Sequence, residues 1–322
     1  MKNKIALILL FAISIPFSRA QWISVNGPSG GYVRNFIFDG TTIYAATGGG
    51  VLASNDNGTS WSFRNSGLKS CDTKSLAQIG DYLFVSTDEN VFRSVNRGLD
   101  WESVGSDLDG KYVKTLVTCN NVLFAGTYSR GIYRSLDSGS TWTAVNNGIS
   151  GKYIYWLATD GTNIYAGSYL NGLFRSTDMG NSWTSINNGL TESSIASMCY
   201  FNQKMYASTL YSGTFVSDDN GNNWSSLGSG IPMVKGFTCL NGNLYAGSFG
   251  NGVYKSTDSG QTWSTVNTGL TEKDIWAMGS SDSVIFAGVS SGHVYKSTNG
   301  GTNWSLCNSE NTFRAGVGSL TS

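Results

Sequence analysis

Ser176-Thr177-Asp178-Met179-Gly180-Asn181-Ser182-Trp183 is one of seven copies of a phrase, Ser-x-Asp/Asn-x-Gly-x-x-Trp, on which the reading of this chain turns. The other copies end at Trp61, Trp101, Trp142, Trp224, Trp263 and Trp304, so successive tryptophans lie 39 to 41 residues apart. A constant period near 40 marks a stacked or circular array of one supersecondary unit. Between residues 153 and 190 that unit reads as four strands. YIYWLATD, NIYAGSY, GLFRSTD and SWTSINN are runs of 5 to 8 residues, rich in β-branched and aromatic types and punctuated by Gly, Asn or Asp. No window carries helical spacing over a useful length.

The second strand recurs as IYAAT, LFVST, LFAGT, IYAGS, MYAST, LYAGS and IFAGV. A strand apolar on both faces is covered on both faces, and its small Ala and Gly let neighbouring sheets approach closely. Seven such sheets around an axis remove the long exposed edges that a linear stack would present. The expected fold is all-β, a seven-bladed β-propeller of four-stranded antiparallel blades. In each phrase the acid or amide (Asp56, Asn96, Asp137, Asp178, Asp219, Asp258, Asn299) accepts hydrogen bonds within the turn between third and fourth strands, while Gly supplies a positive φ. The tryptophan then covers apolar area between blades.

The ends are expected to lie outside this array. Lys2 and Lys4 before the apolar run Ile5–Phe17, with Ser18-Arg19-Ala20 after it, read as a signal peptide over residues 1–20. The propeller is assigned to residues 21–308 and a tail to 309–322. QWISVN at 21–26 resembles a further outer strand and is expected to pair with the last blade and close the ring. The implied location is secreted or periplasmic, with no transmembrane segment.

The phrase and its sevenfold recurrence resemble the Asp-box (BNR) repeat of sialidase-like and sortilin-like propellers, and of the photosystem II assembly factor family related to them. The resemblance covers about residues 40 to 308. It implies that the Asp box is a structural turn on the face opposite the binding site. Asn96 and Asn299 depart from the acid in two copies, yet Asn can make the same turn bonds. The resemblance also opens two enzymatic readings and one assembly reading. Sialidase chemistry needs three converging arginines, whereas only Arg34 and Arg130 are placed to reach the loop face. Xyloglucanase-like hydrolysis uses paired acids between two propellers, and here there is one. An assembly factor for a membrane complex is the third.

Composition narrows the rest. The 21 basic and 21 acidic residues balance, and removing the three leader cations leaves a small negative charge, so no nucleic-acid partner and no strong basic patch are expected. Arg93, Arg134, Arg175, Lys255 and Lys296 precede the phrase in five repeats and read as solvated strand positions. The five cysteines form no CxxC pair; they read as small buried thiols, with one disulfide as the alternative. The single His293 lacks a second ligand at metal spacing, so neither a metal nor any other cofactor is expected. What single blades own, rather than what all share, is the candidate for function. On the loops after the second strands this leaves Tyr128, Tyr169, Tyr211 and Phe249, with Arg130 beside Tyr128 and with Tyr112, Tyr153, Tyr155, Trp156 and Trp276 near the adjoining loops. These rings suit a glycan or a peptide. Asp88, Glu89, Asp109, Glu192, Glu272 and Asp274 are the acids on that face. The sequence contains no convincing catalytic set. It reads as an exported, monomeric, non-catalytic propeller that binds a protein or polysaccharide, the alternative being a glycoside hydrolase using loop-face carboxylates.

Overall fold

The computed structural model describes residues 31–227 and 231–307. They form seven four-stranded antiparallel sheets, each built from one repeat with its strands ordered as in the chain. Blade 4 is representative: Ile154–Thr159 lies innermost, followed by Ile164–Ser168, Leu173–Ser176 and Thr184–Ser185. The second strand is buried along its whole length, as an apolar strand between two neighbouring sheets must be. Gly167 shows why it carries small residues. A Cβ there would stand 2.8 Å from Cγ2 of Ile195 on the next inner strand.

The outer strands are shorter than the sequence suggests. Thr184–Ser185 makes two ladder pairs, and the chain then leaves the sheet. The reason is a side chain. Asn187 Oδ1 accepts from Leu173 N at 2.6 Å, where a longer strand would have placed a carbonyl. Asn65, Asn146 and Asn267 serve Val51, Ile132 and Val253 in the same way.

The aspartates form the expected closed turns. Asp178 Oδ1 accepts from the Ser182 amide at 2.9 Å and from Ser176 Oγ at 2.8 Å, and Gly180 N donates to Ser176 Oγ at 2.7 Å. Asn96 accepts the corresponding bonds from Ser94 Oγ and Asp100 N at 2.9 Å each. Hydrogen bonds from the Asn223 and Thr262 side chains, then from backbone amides, hold Asp219 and Asp258 down to about 2. A carboxylate with a depressed folded pKa stabilises above its ordinary value and loses that contribution as the pH falls. The melting temperature is therefore expected to drop between the ordinary 3.8 and about 2. A melting temperature flat across that window would refute it.

One set of sequence expectations is corrected. The cations before the phrase are not merely solvated, because each reaches the turn of the next blade. Arg93, Arg134 and Arg175 donate to the carbonyls of Ser138, Met179 and Asn220 at 3.1, 2.6 and 2.7 Å. Lys255 donates to Gly300 O at 3.3 Å, and Lys296 to Asn57 O at 3.0 Å, across the junction of the last and first blades. Where the repeat has Ala53 or Val216 instead of a cation, a tyrosine of the second strand supplies the donor. Tyr44 Oη reaches Arg97 O at 3.2 Å and Tyr206 Oη reaches Ser259 O at 2.9 Å. All seven junctions thus carry an equivalent clamp. Phe36 and Phe38 packed on Phe286 complete the closing junction. The segment 21–26, expected to close the ring, lies outside the described residues, as do the signal peptide and the tail. The cysteines are unpaired; Cys119 and Cys307 are buried, whereas Cys71 and Cys239 are exposed, against the expectation of uniform burial.

Candidate functional site

The inner strands begin at the face opposite the Asp turns, and there six of the seven carry a bulge. The ladder skips one residue between Val33 and Asn35, Val113 and Thr115, Ile154 and Trp156, Ile195 and Ser197, Val234 and Gly236, and Ile275 and Ala277. A bulge leaves its extra residue outside the ladder and re-aims the side chain. The extra residues are Arg34, Lys114, Tyr155, Ala196, Lys235 and Trp276, and Lys74 occupies the same place just before the inner strand Ser75–Ile79. Together they line one cavity of about 300 Å³, reached from all seven blades and therefore on the axis.

Four of these seven side chains are cations, which corrects the expectation that no strong basic patch exists. Asp72 holds two of them: its carboxylate pairs with Arg34 at 2.6 Å and with Lys74. Arg34 also donates to Thr73 O at 2.7 Å. Lys235 lies over the Trp276 ring, 5.2 Å from its centroid; burial lowers its pKa and the Asp274 charge offsets part of that. Lys114 lies 5.3 Å from the Tyr155 centroid. Burial, then the charges of Lys74, Arg34 and Lys235, lower its pKa from 10.5 to about 8.

The candidate aromatics fall into two groups. Tyr128 packs against Tyr112, Tyr153 and Tyr155 at centroid distances of 5.6, 5.4 and 6.0 Å, and Tyr155 stacks on Tyr169 at 5.2 Å. This patch runs from the axial mouth outward over blades 3 and 4, with Tyr128 and Tyr153 exposed. On the other side Trp276 contacts Tyr32 at 4.7 Å and Phe249 at 6.4 Å. Tyr211 stands apart, 83% exposed, beside a hollow between blades 5 and 6 that Phe249 also lines. Arg130 is exposed on the Tyr128 loop. Trp156 faces the mouth, but its indole N–H donates to Met198 O at 3.1 Å and its body packs into the junction with blade 5.

Four of the acids on this face serve other groups. Glu192 Oε2 accepts from the amides of Tyr211 and Ser212 at 2.8 and 3.0 Å, which fixes that loop. Asp88 accepts from Ser70 Oγ at 2.6 Å and Asp109 from Asn90. With Glu89, they line a hollow at the edge of blade 2. Glu272 pairs with His293 Nδ1 at 2.6 Å. Burial raises its pKa, but hydrogen bonds from Ser291, His293 and Tyr295 outweigh this and hold it below the usual range. A glycosidase acid needs the opposite shift. Among the described residues no group of three His, Cys, Asp or Glu is placed to hold a metal ion.

No family model matches the chain, and no curated protein matches it. Solved structures do. The GH74 xyloglucanase from Xanthomonas campestris superposes with a TM-score of 0.72 at 18% identity, over 89% of this chain and 56% of that one. The structure of YCF48 bound to D1 peptide gives 0.69 at 17% identity, over 87% and 97%. The extracellular domain of BT4673 from B. thetaiotaomicron gives 0.69 at 20% identity, over 83% of this chain and 38% of that one. The chain is a seven-bladed β-propeller.

The bulge ring of this propeller escaped the sequence reading except for Arg34, Tyr155 and Trp276. The signal was present. Aligning VRNF, TKSL, VKTL, IYWL, IASM, VKGF and IWAM places the seven mouth residues in one column, and that column varies from blade to blade.

Proposed function

We propose that this chain is an exported, non-catalytic propeller whose loop face binds a protein or glycan. The observation that carries this reading is the tyrosine patch of blades 3 and 4. Five rings pack on one another, tilted, edge to face or stacked, on an open surface beside a cationic mouth, with two of them exposed. Rings held in this way offer apolar area at little entropic cost, as binding surfaces require. The extracellular setting of the BT4673 domain and the peptide bound by YCF48 are in keeping with it. The acids support turnover less well, because Glu192 and Glu272 are committed to loop amides and to His293.

The test is a set of binding isotherms against envelope polysaccharides and envelope proteins, repeated with Tyr128→Ala and Tyr169→Ala. Each variant is expected to weaken binding about tenfold, roughly 1.4 kcal/mol, without moving the melting temperature by more than a degree or two. Unchanged affinity in both would remove this face. New reducing ends from a polysaccharide panel would replace the binding reading with hydrolysis.

A further inference from the structure

We infer that the axial mouth is a site for a small organic anion, a single carboxylate carried on a flat apolar body. This inference goes beyond the proposed binding role and does not rest on it: the patch and the mouth share Tyr155, but Lys114 can be varied without removing any ring of the patch.

The order of side chains around the mouth sets the orientation. Arg34, Lys74 and Lys114 come from consecutive blades and form a cationic arc. Tyr155 and Trp276 flank that arc on its two sides; opposite it stand Ala196, which leaves room, and Lys235, whose ammonium lies over the Trp276 ring. A carboxylate against the arc would place its apolar body between the two rings. The cavity of about 300 Å³ lies at the small end of ligand pockets and matches a body of one or two rings. A bare inorganic ion would leave the aromatic walls unused.

Charge counting leaves the mouth cationic, with Arg34, Lys74, Lys114 and Lys235 set against only Asp72 and Asp274. Asp72 already bridges Arg34 and Lys74, and the Asp274 charge acts on Lys235. Lys235 has no carboxylate within ion-pair distance among the described residues, and neither has Lys114, which feels Asp72 only at longer range. The Lys114 ammonium is met by the Tyr155 face, a weaker partner than a counterion. Neutral groups on the wall are engaged in the scaffold: Asn35 Oδ1 accepts from Leu76 N at 2.8 Å, and Ser75 Oγ accepts from Leu116 N at 3.1 Å. The mouth thus offers a ligand ammonium donors and apolar rings. That chemistry suits a carboxylate better than the mixed donors and acceptors of a neutral sugar.

The test titrates the full chain with benzoate, indole-3-acetate and hexanoate at pH 7, read by calorimetry and by the fluorescence of the mouth tryptophans. At least one acid is expected to bind saturably with one site per chain, and benzamide at least tenfold more weakly than benzoate where benzoate is the binder. Lys114→Met and Lys114→Gln should each lose tenfold or more, while Lys69→Met, on the exposed surface, should not change affinity. Circular dichroism melts show that both Lys114 variants are folded. Four results would overturn the inference. They are no binding of any acid up to roughly tens of millimolar, equal binding of amide and acid, and sulfate binding as tightly as the acids, which would make the site one for an adventitious ion only. The fourth is Lys114-dependent binding of polyglutamate or polygalacturonate alone, which would make the mouth a docking point for a polymer. Loss of tyrosine-patch binding would leave all four outcomes unaffected.

Discussion

Trp183→Ala is expected to cost about 3–5 kcal/mol of stability, a large share of what a domain possesses. Trp183 is only 5% exposed and stands where blades 3 and 4 meet, in one cluster with Phe124, Val145 and Leu157. Its indole N–H donates to Val145 O at 2.9 Å, and its backbone amide donates to Asn147 O at 2.9 Å, both on the preceding blade. Removing the ring therefore opens a cavity between two sheets and orphans a buried carbonyl. The equivalent Trp224 and Trp304 make the same pair of bonds to blades 4 and 6. Their variants should fall in the same range. Asp178→Asn is the contrasting change. Asn96 and Asn299 show that an amide serves in this turn, so the effect should stay below about 1 kcal/mol. Urea unfolding of the three proteins checks the ordering. A Trp183→Ala loss no larger than that of Asp178→Asn would mean that the blades are not joined through the tryptophans.

The same residues explain why so much of the architecture was legible. A tryptophan recurring at an even spacing can be counted without knowing what it touches, and each copy stands immediately before one outer strand. Strand length was less legible. The run SWTSINN has strand propensity throughout, but its ladder ends at Ser185 because the Asn187 side chain takes over the next acceptor position. Propensity carries no information on that substitution of side chain for backbone. The clamps were misread for a related reason. A cation alternating with a buried residue looks solvated along its own strand, and its acceptor lies 45 residues away in the next repeat.

At the candidate site the aromatic residues were found because single blades own them. Tyr128, Tyr153 and Tyr169 do come together, whereas Tyr211 and Arg130 do not join them. Lys74, Lys114 and Lys235 were missed because they appear one to a blade in short strands with no local signature. The bulge, a feature of backbone pairing between strands, is what turns this scattered column into a ring. Rarity within the repeat identified the rim, but only the register revealed the mouth.

Lys114→Met is expected to stabilise the protein at pH 7, by about 1–3 kcal/mol after allowing for solvent at the mouth. The lysine's pKa falls from 10.5 in the unfolded chain to about 8 in the fold, because burial and three neighbouring cations disfavour its charge. A cation depressed in the folded state weighs against folding below the folded value. That penalty is present in full below about pH 8, shrinks as the pH rises, and vanishes above 10.5. In that interval the unfolded state binds more protons, so the natural protein should gain stability with rising pH. The Met variant should lack that gain. The difference between the two urea midpoints, measured at matched m-values from pH 7 to 11, should therefore close toward pH 10.5. Parallel curves would show that Lys114 is not strained in the fold. An ammonium kept where methionine would be more stable is the outcome that a position held for a ligand predicts. Benzoate gives the converse measurement: if it binds at Lys114, it should raise the stability of the natural protein below pH 8 and leave the Met variant unmoved.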